Sequence, residues 1–397
     1  LVDQVEWWHY VDIIIPNEVV SDKSLMFIDG GTKDEEFFRL DSTSISYAIE
    51  SKSVIANISN IPFQPINFLD SEQKDFYEDD LIAYSWNRFL ISGARNDDVE
   101  WLPRLPMTRA VVRAMDLVQD ITKQSKVNVN EFVVSGASKR GWTTWTTAAT
   151  DSRVIAIAPV VIDLLNLEPS FAHHWRNYGY WAPAVNDYVR EGIMDWMGTP
   201  EFGRLLELTE PYSFIDELTI PKLLINAAGD QFFQPDSWEF YWNDLKGEKH
   251  VQYVPNFGHD LSESDALPNL ISFYASVLNQ TPRPTYSWEV QEDKILIQTD
   301  STYLPTSVKL WSAFNPLSRD FRIDEFGPNW VAEEISMPAS GKLEVMMKEP
   351  IEGFRAYFVE LTYTGKSPLK VSSGVEVLPR AYPFEAFTPK RKATAVE

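Results

Sequence analysis

The chain has 397 residues, of which 35 are basic and 58 acidic, so its formal net charge is −23. This charge repels phosphate backbones and anionic lipid, which makes nucleic acid and membrane surfaces poor partners. No run approaches the roughly 18 uncharged apolar residues of a membrane-spanning helix. Because cysteine is absent, disulfides, thiolate catalysis and cysteine-ligated metals are excluded. The chain begins at Leu1 rather than methionine, which either a removed export signal or a boundary chosen for expression would explain.

Strand and helix patterns alternate over roughly the first 280 residues. Helical patterns cover 41–52, with Asp41 as the N-cap, and 107–124, where apolar residues recur with a helical period. The predicted strands cover 7–16, 24–31, 53–59, 131–136, 154–162, 221–229 and 250–255. Most are near-continuous apolar runs, which is typical of a parallel sheet buried on both faces by helices. The pattern therefore predicts an α/β domain over residues 1–280 with a doubly wound, mostly parallel sheet.

Residues 164–212 form a segment too long for a plain crossover between two strands. Long insertions in compact domains are often lids or binding loops, whereas the alternative is a helical excursion that only packs on the body. The sequence leaves both open. If the segment is a lid, its aromatic residues are candidate walls of a substrate pocket: Trp175, Tyr178, Tyr180 and Trp181.

The texture of the sequence changes after TPRPT, residues 281–285, which has the composition of a linker. Short alternating runs separated by turn residues follow, such as SVKLWSAF and FRAYFVELTYT, and helical periods are absent. This pattern predicts a second domain over residues 286–397, an all-β sandwich of immunoglobulin-like architecture.

The segment FVVSGASKRGWTTW, residues 132–145, joins an apolar strand to a predicted helix through a turn of small residues. A nucleophile elbow needs small residues around its serine because bulky groups would collide at so sharp a turn. Gly136 occupies the position two before Ser138, whereas Arg140 stands where a second glycine is expected. The alternative for Ser138 is a simple turn residue.

A serine hydroxyl becomes a nucleophile only when a base removes its proton, so an acid and a histidine should follow along the chain. Asp230 comes directly after one predicted strand, and His259 follows the next. Open α/β sheets place their sites at the carboxyl ends of the strands, which is where all three residues are predicted. Asp163 is a reserve candidate for the acid, and Asp236 is a weaker one.

A tetrahedral intermediate also needs hydrogen-bond donors for its oxyanion. The backbone N–H of Lys139 is one candidate, and the other is an N–H of Gly30 or Gly31, which follow an early strand. The two glycines could instead form a turn. No metal-ligand spacing and no phosphate-binding glycine loop is present, so no metal site or cofactor is predicted.

The motifs VSGASKRGWTTW, AYSWNRFL, LPMTRAVVRAMD, INAAGDQFF and PNFGHD together resemble the PhoPQ-activated pathogenicity-related protein family, to which autocrine proliferation repressors are related. The resemblance spans roughly residues 5–325 and implies an α/β-hydrolase fold. By this likeness Ser138, Asp230 and His259 match a catalytic triad, and Lys-Arg-Gly is the family's variant of the elbow. The resemblance also implies a bacterial protein that is exported to the periplasm or secreted.

These observations predict an exported serine hydrolase that cleaves an ester or peptide bond through an acyl-enzyme. Its expected partner is a small-molecule or peptide substrate. The alternative is a secreted signalling or binding protein that keeps a hydrolase fold with vestigial catalysis. A fluorophosphonate probe, which labels an activated serine, would distinguish the two.

Overall fold

The computed structural model describes residues 1–34, 42–291, 294–365 and 367–391. Within these residues the strands are, in chain order, β1 (Tyr10–Ile14), β2 (Lys23–Ile28), β3 (Val54–Ser59), β4 (Glu131–Ala137), β5 (Val154–Val160), β6 (Lys222–Ala227), β7 (Lys249–Val254), β8 (Tyr286–Gln291), β9 (Lys294–Thr299), β10 (Ser307–Asn315), β11 (Val331–Ile335), β12 (Lys342–Met346), β13 (Phe354–Tyr363), β14 (Leu369–Ser372) and β15 (Glu376–Leu378). The α-helices are α1 (Ser42–Ser51), α2 (Glu78–Ile91), α3 (Arg104–Gln124), α4 (Lys139–Thr150), α5 (Leu167–Tyr178), α6 (Asn186–Arg190), α7 (Pro200–Thr209), α8 (Ala266–Leu278) and α9 (Ile323–Phe326). The expected N-cap Asp41 lies outside the described residues.

The chain divides into two compact units. The first comprises Leu1–Pro159, Val185–Pro221 and Thr388–Glu397, and the second comprises Val160–Ala184 and Lys222–Phe387. The expected domains 1–280 and 286–397, and the role of 164–212 as a lid, remain predictions. None of the helices in the described ranges is long and apolar enough to span a membrane.

The first unit contains a parallel-rich sheet with the strand order β1-β3-β2-β4-β5. β2 runs parallel to both β3 and β4, whereas β1 pairs with β3 in the antiparallel sense. Five consecutive residues of β4 are buried, from Phe132 to Gly136, because helices cover the sheet: α4 packs on β4 and α1 on β3. This explains the continuous apolar runs in the sequence. The predicted α/β class with a mostly parallel sheet is therefore confirmed.

In the second unit, the strands β6 and β7 pair in parallel. Two antiparallel sheets follow: one has the order β11-β10-β13-β14, with β15 also paired to β13, and the other has the order β12-β9-β8. Residues 286–378 therefore form an all-β region, and its immunoglobulin-like architecture remains a prediction. The region is tied to α8, since the Asn269 side chain donates to the Lys370 carbonyl at 2.8 Å and accepts from the Lys370 N–H at 2.9 Å.

Candidate active site

Ser138 occupies a strained turn between β4 and α4. Its φ of 58° and ψ of −126° lie in a region that residues other than glycine rarely adopt. Gly136 makes the turn possible, because a Cβ atom at that position would lie 2.7 Å from the Arg140 carbonyl oxygen. The same Cβ atom would lie 3.0 Å from the Cβ of Arg140, so the turn requires a glycine before the serine.

Two basic residues after Ser138 are held by the start of α2. The Lys139 Nζ lies 2.8 Å from Glu78 Oε2 and 2.9 Å from Asp79 Oδ2, and Arg140 also forms an ion pair with Glu78. Burial alone would raise the pKa of Glu78, but the charges of Lys139 and Arg140 outweigh it and lower the pKa to about 2. Glu78 is therefore ionised at neutral pH and fixes the first residues of α4. This cluster was not predicted from the sequence, where the acidic run at 78–80 was the one signal for it.

The Arg140 guanidinium also packs against the candidate oxyanion loop. Its Nε donates to the Ile61 carbonyl at 2.6 Å. A Cβ atom on Gly30 would lie 2.5 Å from Arg140 Nη2, so the guanidinium covers this glycine closely. The close approach explains why a residue without a side chain stands at position 30.

Gln64 connects the same loop to Glu78. Its Nε2 donates to the Gly31 carbonyl and to Glu78 Oε1, both at 2.8 Å. Gly31 has a φ of 120°, a conformation that favours glycine. Within the described part of the chain, the N–H groups of Gly30 and Gly31 donate no hydrogen bond. The loop is thus held through its carbonyls, and its N–H groups stay available.

In the second unit, Asp230 and His259 form a hydrogen-bonded pair in the loops that follow β6 and β7. His259 Nδ1 lies 2.9 Å from Asp230 Oδ2 and 3.1 Å from Oδ1. The Phe232 N–H donates to Asp230 Oδ1 at 2.7 Å, and the His259 N–H donates to Gln231 Oε1 at 2.8 Å. Asp230 is 3% exposed, whereas the side chain of His259 is 21% exposed. We assign the proton to Nδ1 because it faces the carboxylate, which leaves Nε2 able to accept one.

The reserve acid Asp163 is bound elsewhere. The hydroxyl of Tyr253 donates to Asp163 Oδ2 at 2.6 Å, and the hydroxyl of Tyr241 donates to Oδ1. Burial raises the pKa of Asp163 to about 7, although both hydroxyls favour the charged form. Of the candidates, Asp230 is the one that holds His259.

The adjacent histidines of α5 each have their own partner. His173 Nε2 lies 2.9 Å from Asp236 Oδ1, and Arg319 Nη2 donates to the other oxygen of Asp236 at 2.5 Å. His174 Nε2 accepts the Ala182 N–H at 3.0 Å, and burial lowers the pKa of His174 to about 3. Both histidines therefore support the fold around α5. Across the described ranges, no group of three or more His, Cys, Asp or Glu side chains could hold a metal ion.

The four aromatic residues predicted as pocket walls lie in two different places. Tyr178 and Tyr180 line a cavity of about 610 Å³. The rings of Trp175 and Trp181 lie 5.2 Å apart, and both contact Phe387. The role of the two tryptophans as pocket walls remains a prediction.

Comparison with solved structures finds weak similarity to hydrolases. Acetyl xylan esterase 1 from Thermoanaerobacterium sp. JW/SL YS485 is 14% identical, with a TM-score of 0.46 over 68% of this chain and 79% of that one. The acylaminoacyl peptidase of Pyrococcus horikoshii is 14% identical, with a TM-score of 0.45 over 68% of this chain and 39% of that one. These similarities are too weak to assign an activity.

The sequence comparisons are much stronger. Autocrine proliferation repressor protein A of Dictyostelium discoideum is 35% identical over 408 residues, covering 95% of this chain and 82% of that protein. This relative is not bacterial, so it does not support the expected bacterial origin. The profile of the PhoPQ-activated pathogenicity-related proteins matches residues 1–322. The chain therefore belongs to the PhoPQ-activated pathogenicity-related protein family.

Proposed function

We propose that this protein is a serine hydrolase with Ser138 as nucleophile, His259 as general base and Asp230 as the orienting acid. The observation that carries the proposal is the hydrogen-bonded pair of Asp230 and His259, in which Nδ1 is held and Nε2 is left as an acceptor. The strained turn at Ser138 supports it, because such conformations persist where a function requires them.

In the proposed reaction, His259 Nε2 takes the proton of the Ser138 hydroxyl as Oγ attacks an ester or peptide carbonyl carbon. The oxyanion of the tetrahedral intermediate accepts hydrogen bonds from the N–H of Lys139 and from that of Gly30 or Gly31. The intermediate then collapses, the leaving group departs with the proton from His259, and an acyl-enzyme remains. A water molecule attacks this ester by the same route and regenerates Ser138.

The second candidate function is that of a secreted signalling or binding protein. It is favoured by the name of the relative, an autocrine proliferation repressor, which describes a signal rather than an enzyme. Export is part of both candidates. A binding function would use the surface of the fold and would require no reactive serine.

A fluorophosphonate probe tests the proposal. We expect it to label the wild type and not Ser138→Ala, whereas Ser262→Ala, which changes an exposed serine, should be labelled like the wild type. If the folded wild type is not labelled, the hydrolase proposal is wrong and the binding function is supported. Rates on p-nitrophenyl esters and aminoacyl nitroanilides, measured in parallel, would then separate an esterase from a peptidase.

A further inference from the structure

We propose that a groove in the first unit binds a long-chain carboxylate, whose alkyl chain lies along α3 and whose carboxylate pairs with Arg109 and Arg113. The groove is bounded by α2 and α3, by β1 and β3, and by the residues that precede β1. Its volume is about 890 Å³, which is in the range of small-molecule sites. Ser138, Asp230 and His259 do not line it, so the inference is independent of the proposed function.

The lining of the groove is mostly apolar. Val11 of β1 and its register partner Ile58 of β3 line it from the sheet, and Ala110 and Ala114 line it from α3. The small side chains of the two alanines leave space that larger apolar residues would fill. The polar residues of the lining are His9, Ser85, Glu100, Arg109 and Arg113. A surface of this composition suits a hydrocarbon chain with a polar group at one end.

Large apolar side chains remain exposed around the groove. Val5 is 80% exposed, Trp8 41% and Leu117 42%, and all three line it. A single exposed apolar residue is ordinary, but a cluster of them around one groove marks a surface that another molecule covers. An alkyl chain in the groove removes these side chains from water, which is favourable in proportion to the apolar area covered.

The groove is long rather than round. Leu105 and Leu117 both line it and lie roughly 18 Å apart along α3, since each helical residue adds about 1.5 Å. A compact ligand would cover only part of this length. An extended alkyl chain covers most of it, which favours a long single chain over a ring-shaped ligand.

Two arginines of α3 supply the charge for a carboxylate. Arg109 and Arg113 line the groove one turn apart, and both are exposed. Arg109 has no ion pair or hydrogen bond within the described part of the chain. Arg113 Nη1 lies 3.0 Å from Asp116 Oδ2, but the other oxygen of Asp116 lies 2.8 Å from Arg153 Nη1. Because Asp116 is shared in this way, the two arginines at the groove have donors left for another carboxylate.

The remaining charges favour a free anion. Burial lowers the pKa of His9, so its ring is neutral at pH 7. Among the described residues of the lining, Glu100 is the one acid, and the two arginines outnumber it. The formal net charge of −23 repels an anionic bilayer, whereas a single molecule in the groove lies closest to the arginines. The ligand is therefore a fatty-acid anion rather than a membrane surface.

Calorimetric titration of the full chain with decanoate and with decanol tests the site. We expect both to bind the wild type, and Ser138→Ala to bind them equally. The double variant Arg109→Gln/Arg113→Gln should bind decanoate about three- to tenfold more weakly, because exposed ion pairs are individually weak, and should bind decanol like the wild type. Arg95→Gln changes an arginine as exposed as Arg113 and is the matched control.

A second variant tests the alkyl part of the site. Leu117→Asp should weaken both ligands at least tenfold, and its thermal midpoint should stay close to that of the wild type because the side chain is half-exposed. Leu267→Asp, a change at a similarly exposed leucine of α8, is the matched control and should bind both ligands like the wild type. Decanoate should not slow fluorophosphonate labelling, which tests the catalytic proposal separately.

The inference is overturned if the wild type does not bind decanoate, or if Leu117→Asp binds it as tightly as Leu267→Asp. It is also overturned if the double arginine variant leaves decanoate binding unchanged or weakens decanol equally. Slower labelling by decanoate in Leu117→Asp as in the wild type would place the anion in the catalytic site instead. Binding to phosphatidylglycerol vesicles that Leu117→Asp abolishes would identify a bilayer surface in its place. A protein that binds decanoate without being labelled keeps this site and loses the hydrolase.

Discussion

Replacing Glu78 by glutamine removes the charge that pairs with Lys139 and Arg140, and so measures what these ion pairs contribute to the stability of the turn at Ser138. The pKa of Glu78 is about 2 in the folded protein against 4.5 ordinarily, a difference made by Lys139 and Arg140 against the opposing effect of burial. At about 1.4 kcal/mol per pKa unit this corresponds to roughly 3 kcal/mol of stability. The Glu78 side chain is 37% exposed, and solvent screening reduces the figure. We therefore expect Glu78→Gln to lower the free energy of unfolding by about 2 kcal/mol at pH 7.

The pH dependence of this loss gives the sharper test. Because folding lowers the pKa of Glu78, its contribution to stability is fully present above pH 4.5 and is lost as the pH falls towards 2. The difference between wild type and Glu78→Gln should therefore shrink below pH 4.5, to less than half its neutral value near pH 3. Urea unfolding followed by tryptophan fluorescence at a series of pH values measures it.

Glu207→Gln provides the matched control. Glu207 pairs with Arg204 on the surface of α7, where its side chain is 66% exposed. Exposed pairs contribute little, so we expect a change below about 0.5 kcal/mol at every pH. If Glu78→Gln loses no more stability than Glu207→Gln, or if its loss is as large at pH 2 as at pH 7, the ion pairs do not stabilise the elbow as argued.

Three further changes have distinct expected outcomes. Asp230→Asn should lower kcat about 10³- to 10⁴-fold with little change in KM on a p-nitrophenyl ester, because the imidazole loses its orienting carboxylate. Gly136→Ala should lower the thermal midpoint and the rate of fluorophosphonate labelling, since the new Cβ would lie 2.7 Å from the Arg140 carbonyl. Burial raises the pKa of Asp163 to about 7, so its contribution to stability falls as the pH rises from 3.8 through 7; the fall of the denaturant midpoint over this range should be smaller in Asp163→Asn than in the wild type.

The parts of the fold that could be predicted from the sequence are those that depend on a short run of consecutive residues. Buried parallel strands are continuous apolar runs, so β4 and β6 could be located closely. Asp230 and His259 could be paired because each follows such a strand directly. The sequence favoured Asp230 and kept Asp163 in reserve, although both follow apolar runs and that position alone does not separate them. The choice depends on which carboxylate the imidazole meets and which one Tyr241 and Tyr253 already occupy.

Contacts between residues that are far apart along the chain could not be predicted from the sequence. α2 was not predicted as a helix because eight of its fourteen residues are buried, which obscures the one-sided apolar pattern of a surface helix. Its first residue, Glu78, was not predicted as a contact of the elbow either, because a run of acidic residues usually lies on a solvated surface. That it instead binds Lys139 and Arg140, some sixty positions later, follows only from the fold.

The backbone conformation of Ser138 is unfavourable for stability. Ser138 adopts a backbone conformation in which glycine would be relaxed. Residues that serve only the fold have no reason to retain such costs, whereas functional sites commonly do. The strained turn at Ser138 therefore supports the proposed hydrolase.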